Sequence, residues 1–385
     1  MPAEVALFDA PATTEGPLSW LKALDWVRPP AGRRARRVDR HGLVITDHIA
    51  GQAPPAEVVW ACQDVFHRAN RSHVTWRRMT PLRFGSGGPA VAHWTCPLPL
   101  RAADAANVYT VHDLVPLRLP FATLDRKAAF HDLCREILAR ADHVVTVSET
   151  TRRDILSTFK IAEDRITTTY QSVRPHGAAS QGPDEEVERQ VAGVFGLPWK
   201  GYFLFFGGIE PKKNLARLIE AHLSSGVSTP LVIVGGQAWL DGDETRLLYD
   251  DLVVVRTIRD GAIRRQDRIR RYDYLPPGLL VSLVRGARAT LFPSLYEGFG
   301  LPVLESMQLG TPVLASTGGA LPEIAGDAAL LVDPYDVDAI TQGLRTLDAD
   351  ADLRTELARR GRERALVFSP ENHQRRLAAV YEAVA

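Results

Sequence analysis

Short apolar runs recur along the chain, and stretches with helical periodicity separate them. In the second half Tyr202-Phe203-Leu204-Phe205-Phe206, Leu231-Val232-Ile233-Val234 and Ala289-Thr290-Leu291-Phe292 are bounded by glycine, proline or arginine. Continuous apolar runs of that length predict strands buried on both faces of a parallel sheet. After the first of them Asn214 fits an N-cap, and Leu215, Leu218, Ile219 and His222 follow at the spacing of one buried helical stripe. The first half repeats the pattern. Val108-Tyr109-Thr110-Val111 and His143-Val144-Val145-Thr146-Val147 read as strands, and residues 150–159 as a helix. Strands alternating with helices predict an α/β fold in which each sheet is covered on both faces.

The chain has 385 residues, more than one core usually serves, so two domains are expected. The boundary is placed at Ser180-Gln181-Gly182-Pro183-Asp184, dividing residues 1–185 from 186–368. Ser369-Pro370 opens a last helical segment over residues 369–385. Val5-Ala6-Leu7-Phe8 suits a strand, whereas Gly85-Ser86-Gly87-Gly88 has no convincing strand before it. The first hundred residues are thus the least regular part.

Lys plus Arg and Asp plus Glu balance at 46 each, which gives no overall field for nucleic acid. No apolar run approaches the length of a membrane span, and Met1-Pro2-Ala3-Glu4 does not open a signal peptide. Cys62, Cys96 and Cys134 are odd in number and widely spread, so reduced thiols in a cytoplasmic protein are expected.

The densest chemistry lies in Phe292-Pro293-Ser294-Leu295-Tyr296-Glu297-Gly298-Phe299-Gly300-Leu301-Pro302-Val303-Leu304-Glu305. It reads as strand, glycine-rich loop and helix start, with Pro302 at the first helical position and Glu305 in the first turn. Unpaired amides and the helix dipole favour anions and hydroxyl oxygens at such a terminus. Glu297 and Glu305 would face one hydroxyl-rich ligand, which points to a nucleotide sugar. A second loop, Gly207-Gly208-Ile209-Glu210-Pro211-Lys212-Lys213, allows close backbone approach and adds positive charge. It matches neither a Walker A loop nor a dinucleotide fingerprint, which weakens the NTPase and dehydrogenase readings.

The fourteen-residue segment is similar to the E-x7-E signature of family 4 (group 1) retaining glycosyltransferases. Similarity continues through Gly310 to Ser316, Gly318 to Glu323 and Ala328 to Pro334. The resemblance implies a GT-B fold, two Rossmann-like domains facing a cleft, with the donor on the C-terminal one and the acceptor on the N-terminal one. It also implies that the final helix, from Glu371 to Val384, crosses back to the N-terminal domain. Lys213 would contact the donor pyrophosphate. Many relatives carry arginine where Gly208 stands, which makes Lys212 the candidate for a second contact. Glu297 would hold sugar hydroxyls together with the amides of Phe299, Gly300 and Leu301, and Glu305 the ribose. The catalytic set is then His112, Glu297 and Lys213. The donor-binding set is Gly207, Gly208, Lys212, Lys213, Glu297, Gly298, Phe299, Gly300, Leu301 and Glu305.

The Val108 to Pro116 stretch, with its H-D-L-x-P core, resembles members acting on lipopolysaccharide, capsule or exopolysaccharide, and places His112 near the donor sugar. A GDP-, UDP- or dTDP-sugar is the expected donor, a glycan or lipid-linked glycan the acceptor. No cofactor or metal is expected, although Asp241-Gly242-Asp243 spells a D-x-D triplet. A sugar phosphorylase or epimerase on the same architecture, and a non-catalytic nucleotide-sugar-binding subunit, are the rival readings. Arg28, Arg33, Arg34, Arg36, Arg37 and Arg40 with Trp20 and Trp26 form either a solvated arm or a peripheral contact with the inner membrane. Arg256, Arg259, Arg264, Arg265 and Arg268 read as a solvated insertion, and Tyr272 and Tyr274 as packing residues.

Overall fold

The computed structural model describes residues 5–10, 32–38, 58–174, 180–236, 254–259 and 262–385. The Asp241-Gly242-Asp243 triplet and Trp20, Trp26, Arg28 and Arg40 lie outside the described residues.

The C-terminal half is built on a six-stranded sheet whose paired strands all run parallel. In sheet order the strands are Ile269–Tyr272, Leu231–Val234, Phe203–Phe206, Ala289–Phe292, Val313–Ser316 and Leu330–Val332. Ranked by position in the chain, that order is 3-2-1-4-5-6, the doubly wound arrangement. Ligands of such sheets bind beyond the carboxyl ends of the strands, where the order reverses. The reversal lies between Phe203–Phe206 and Ala289–Phe292, the strands that precede the Lys213 and Glu297 loops. Both strands are buried throughout, and helix Leu215–Ser225 covers one face with Leu215, Leu218, Ile219 and His222.

The N-terminal half centres on four parallel strands, Val91–Trp94, Ala106–Val111, His143–Thr146 and Ile166–Thr168. Val5–Ala10 pairs in parallel with Val58–Gln63 in a separate three-stranded sheet. Two expectations fail here. A strand, Thr80–Arg83, does precede the Gly85 to Gly88 run, and the amides of Phe84 and Gly85 donate to Asp104 at 3.0 and 2.9 Å. Pro81 hides this strand, because proline marks sheet edges. The arginines at 33, 34, 36 and 37 are not an arm either. Arg33–Arg34 pairs with Leu82 and Arg83, and Arg36–Val38 pairs with Val59 to Ala61. Only Ala35 between them is buried, so the stretch lacks the apolar alternation that announces a strand.

Helix Asp184–Phe195 opens the second half and sends Val187, Val191 and Phe195 into its core. Tyr272 packs edge-on against Phe195, and Tyr274 is exposed. Strands Val254–Arg259 and Ala262–Asp267 pair antiparallel. The last helix, Pro370–Val384, is capped by Ser369 and places Leu377, Val380 and Val384 against Val108 and Val145 of the N-terminal sheet. His93 joins this contact, with Nδ1 2.6 Å from Tyr381 Oη and Nε2 2.7 Å from Thr110 Oγ1.

His93 and His222 predict an acid-sensitive fold. Burial, reinforced by His373 and His112, lowers the His93 pKa to about 4; burial also lowers that of His222 to about 4. Both are neutral when folded, whereas an unfolded imidazole titrates near 6.5. Between those limits the unfolded chain holds more protons, so stability falls as pH drops through the window and the loss is complete below about 4. A displacement of that size is worth roughly 3 kcal/mol per group. Calorimetric melting should show a clearly lower midpoint at pH 4.5 than at pH 7, and His93→Gln should flatten the dependence. A midpoint unchanged over this range would exclude it.

Candidate active site

Strand Ala289–Phe292 ends at Pro293, and the chain turns through residues 294–300 into helix Leu301–Gln308. Gly300 is the N-cap, with φ 102°, so the helix begins one residue earlier than expected. Pro302 is its second residue and Glu305 its fifth. Glu305 therefore lies one turn beyond Leu301, on the same face and half-buried. Val303 N and Leu304 N donate to the Gly300 carbonyl at 3.0 and 3.2 Å and Pro302 has no N–H, so the Leu301 amide is the one at this helix head without an acceptor in the helix.

The second loop follows Phe203–Phe206. A short 3₁₀ turn, Pro211–Lys213, ends at Asn214, which adopts a left-handed conformation with φ 62°. Asn214 stands at the N-cap position, but its side chain caps nothing. Its amide donates to Pro293 O at 2.9 Å and to Pro334 O at 2.7 Å. That side chain fastens the Lys213 loop to the start of the Glu297 loop, and Leu295 N adds a bond to Lys212 O at 2.7 Å.

The outcome is a direct ion pair. Lys213 Nζ donates to Glu297 Oε1 at 2.6 Å, and Lys212 Nζ lies 4.0 Å from Glu297 Oε2 and 3.7 Å from Glu210 Oε1. Glu297 is 8% exposed. Burial alone would raise its pKa, but the two lysines and a bond from Ser294 outweigh it and hold the carboxyl below the ordinary value. Burial likewise disfavours the Lys212 ammonium, yet Glu297, Glu210 and Asp113 together raise its pKa. Asp113 belongs to the other half, so the cluster senses charge from both sides of the junction. Gly208 faces open space, with no atom within 4 Å of a Cβ built there.

The backbones of the two halves touch at Gly298. A Cβ on this residue would lie 2.5 Å from His112 O and 2.6 Å from Asp113 Cβ. A third loop supports the first. Ala320 N donates to Glu297 O at 2.9 Å, and a Cβ on Gly319 (φ 61°) would fall 2.3 Å from the same oxygen. The His112 imidazole points into its own half, with Nε2 2.8 Å from Thr95 O and Nδ1 3.4 Å from Gln171 Nε2. A carbonyl only accepts, so Nε2 carries the proton and Nδ1 accepts from Gln171.

The structure thus joins Lys213, Lys212 and Glu297 directly and brings the His112 main chain to Gly298. It places Glu305 on the adjoining helix face. Sequence reasoning missed Asn214 as the link between loops, and also Ser148, Thr151 and Asp154, which hold the Glu297 loop from the other half. Ser148 and Thr151 stand in an ordinary strand-to-helix turn, and only the docked halves reveal their partners.

Residues 197–364 match the family of glycosyl transferases group 1, and residues 43–176 match glycosyltransferase family 4. The O-antigen chain mannosyltransferase B of Escherichia coli is 34% identical over 274 residues, 69% of this chain and 67% of that protein. The chain belongs to the group 1 glycosyltransferases. A further relative of this glycosyltransferase, the O-antigen chain mannosyltransferase RfbU of Salmonella typhimurium, is 26% identical over 62% of this chain and 60% of its own. Among solved structures, the sucrose-phosphate synthase of Thermosynechococcus elongatus superposes with a TM-score of 0.62 at 17% identity, covering 99% of this chain and 98% of that one. Anabaena HepE in complex with UDP and glucose superposes with a TM-score of 0.60 at 16% identity, covering 72% of each chain. The glycosyltransferase therefore has the GT-B fold that its sequence implies.

Proposed function

We propose that this glycosyltransferase moves a hexose, of the mannose type, from a nucleotide sugar onto a glycan or lipid-linked glycan in surface-polysaccharide synthesis. The Lys213–Glu297 pair at the sheet's reversal point carries the reading. Its likeness to O-antigen mannosyltransferases supports the sugar class, and the UDP of the HepE complex supports a nucleoside diphosphate as leaving group. These relatives favour transfer over a phosphorylase or a non-catalytic subunit.

In this reading the pair is a placeholder. An incoming diphosphate takes the Lys213 ammonium, which together with the Leu301 amide at the head of Leu301–Gln308 stabilises charge on the departing phosphate. Glu297, released from Lys213, accepts bonds from sugar hydroxyls, and Glu305 from the ribose. The acceptor oxygen attacks the anomeric carbon on the face that the diphosphate leaves. The bond to the phosphate oxygen breaks as that oxygen takes the acceptor's proton, and configuration is retained. Cationic side chains and a helix terminus carry the phosphate charge, so full activity is expected after chelation of divalent metals. His112 orients the sugar or acceptor from the opposite half.

Calorimetry with UDP, GDP and dTDP, followed by mass-spectrometric detection of transfer from the matching sugar nucleotides to oligosaccharide acceptors, tests the reading. One diphosphate is expected to bind and one donor to be consumed only with an acceptor. Binding of none of the three would overturn it.

A further inference from the structure

The Glu297 loop belongs to the C-terminal half, yet the hydrogen bonds on either side of Glu297 run to one helix of the N-terminal half. Behind Glu297, the Gly298 carbonyl accepts from Ser148 Oγ at 2.7 Å and from Thr151 Oγ1 at 3.4 Å. Ahead of it, Tyr296 Oη donates to Asp154, whose other carboxylate oxygen pairs with Arg118. Ser148 is fully buried and caps helix Glu149–Thr158 by accepting from Thr151 N at 3.0 Å. Thr151 Oγ1 lies closer to His112 O, at 3.0 Å, so its single proton goes mainly to that carbonyl and is shared with Gly298 O.

A third tie comes from helix Leu321–Ala325, which follows the loop that supports Glu297. Glu323 accepts from the amides of Glu149 and Thr150 at 2.7 and 2.9 Å, and from Thr150 Oγ1 at 2.9 Å. A carboxylate of one half thus fills the helix terminus of the other, where orphan amides and dipole favour negative charge. The tie also marks Tyr170, whose phenol burial and Glu323 together push up to about 12. This terminus is consequently filled by Glu323 and Ser148.

We propose that Ser148, together with Asp154 acting through Tyr296, is a positioning residue for Glu297. The helix Glu149–Thr158, with its cap Ser148, holds the Tyr296 side chain and the Gly298 carbonyl, on the residues either side of Glu297. The carboxylate therefore reaches its working direction only when the two halves are docked. Docking against the acceptor side then aligns the donor side, which couples sugar transfer to closure of the cleft. This deepens the reading above and rests on its assignment of Glu297 to the donor sugar.

Three variants test it. Ser148→Ala removes the bond to Gly298 and the helix cap, Tyr296→Phe removes only the bond to Asp154, and Ser148→Thr keeps a hydroxyl. In Ser148→Ala and Tyr296→Phe, kcat for transfer is expected to fall about 10- to 100-fold, the scale of a misdirected reacting group. The Kd of the nucleoside diphosphate, measured by calorimetry, is expected to stay within about threefold. Ser148→Thr should recover most of kcat. Hydrogen–deuterium exchange of residues 295–300, measured without substrate, should quicken in the first two variants. Unchanged kcat in both variants overturns the proposal. So does a joint fall of kcat, diphosphate affinity and melting temperature in both, which marks a merely structural role. If the unaltered protein consumes no nucleotide sugar, the donor reading fails by itself. The exchange measurement still judges the ties, and unchanged exchange in both variants overturns them.

Discussion

Glu297→Gln is expected to lower sugar transfer by about 10²- to 10³-fold, the scale seen when one preorganised transition-state contact is lost. The affinity for the nucleoside diphosphate should not fall, because Lys213 no longer has to part from a carboxylate to meet it. The contrast follows from where the charge sits. Glu297 is nearly excluded from water yet ionised, because Lys213 at 2.6 Å and Lys212 at 4.0 Å outweigh the cost of burial. A charged acceptor bonds sugar hydroxyls about twice as strongly as a neutral amide does. It also faces the positive charge that builds on the sugar as the diphosphate leaves. Glutamine keeps the shape and one acceptor oxygen but loses both advantages. The diphosphate itself meets Lys213 and the helix head, which the substitution leaves in place. Stability should drop by about 3–5 kcal/mol, since the buried Lys213 loses its charged partner. Saturating-donor kinetics and calorimetry separate the two effects, and a variant with native turnover would remove Glu297 from the chemistry.

What could be read in the chain and what could not divide along a physical line. The strands Leu231–Val234 and Ala289–Phe292 were legible because each is a continuous apolar run that the sheet buries. The Lys213 and Glu297 loops were legible because each spans only a few residues after such a strand. Their meeting follows from the 3-2-1-4-5-6 order, and the parallel pattern alone leaves that order open. The helix at 301 was misplaced by one residue because Gly300, not its successor, takes the capping conformation. Asn214 was found at its helix terminus but not given its task. A side chain amide serves a distant carbonyl as readily as a near amide, and Pro293 O and Pro334 O are its partners. Glu323 and Thr150 stand 173 positions apart, and no local pattern announces a carboxylate that caps the other domain's helix. Thr80–Arg83 and Arg33–Val38 escaped for a different reason, because proline and arginine suppress the usual strand signal.

Lys213→Ala should give the complementary result: weaker binding of the nucleoside diphosphate, by about 10- to 100-fold. A hydrogen bond to a charged group contributes about 1.5–3 kcal/mol, and its loss sets that range. Lys212→Ala should cost less, because Lys212 lies farther from Glu297 and shares its charge with Glu210 at 3.7 Å. The same change must alter the pH profile. In the unaltered protein the Glu297 pKa lies below the ordinary 4.5, so the carboxylate stays charged until the medium is more acidic than that. A depressed carboxyl adds stability above the unfolded pKa and loses it as pH falls through the folded value. Removing the Lys213 ammonium leaves burial, which raises the pKa, opposed mainly by the more distant Lys212. The carboxyl then takes up a proton at higher pH, and the acidic limb of kcat/KM, which reports the free enzyme, should move upward in Lys213→Ala. The stability that this carboxyl loses on acidification should shrink as well, because the gap between its folded and unfolded pKa narrows. Both follow from one ion pair, so weakened diphosphate binding with an unmoved acidic limb would mean that Lys213 serves the phosphate without tuning Glu297.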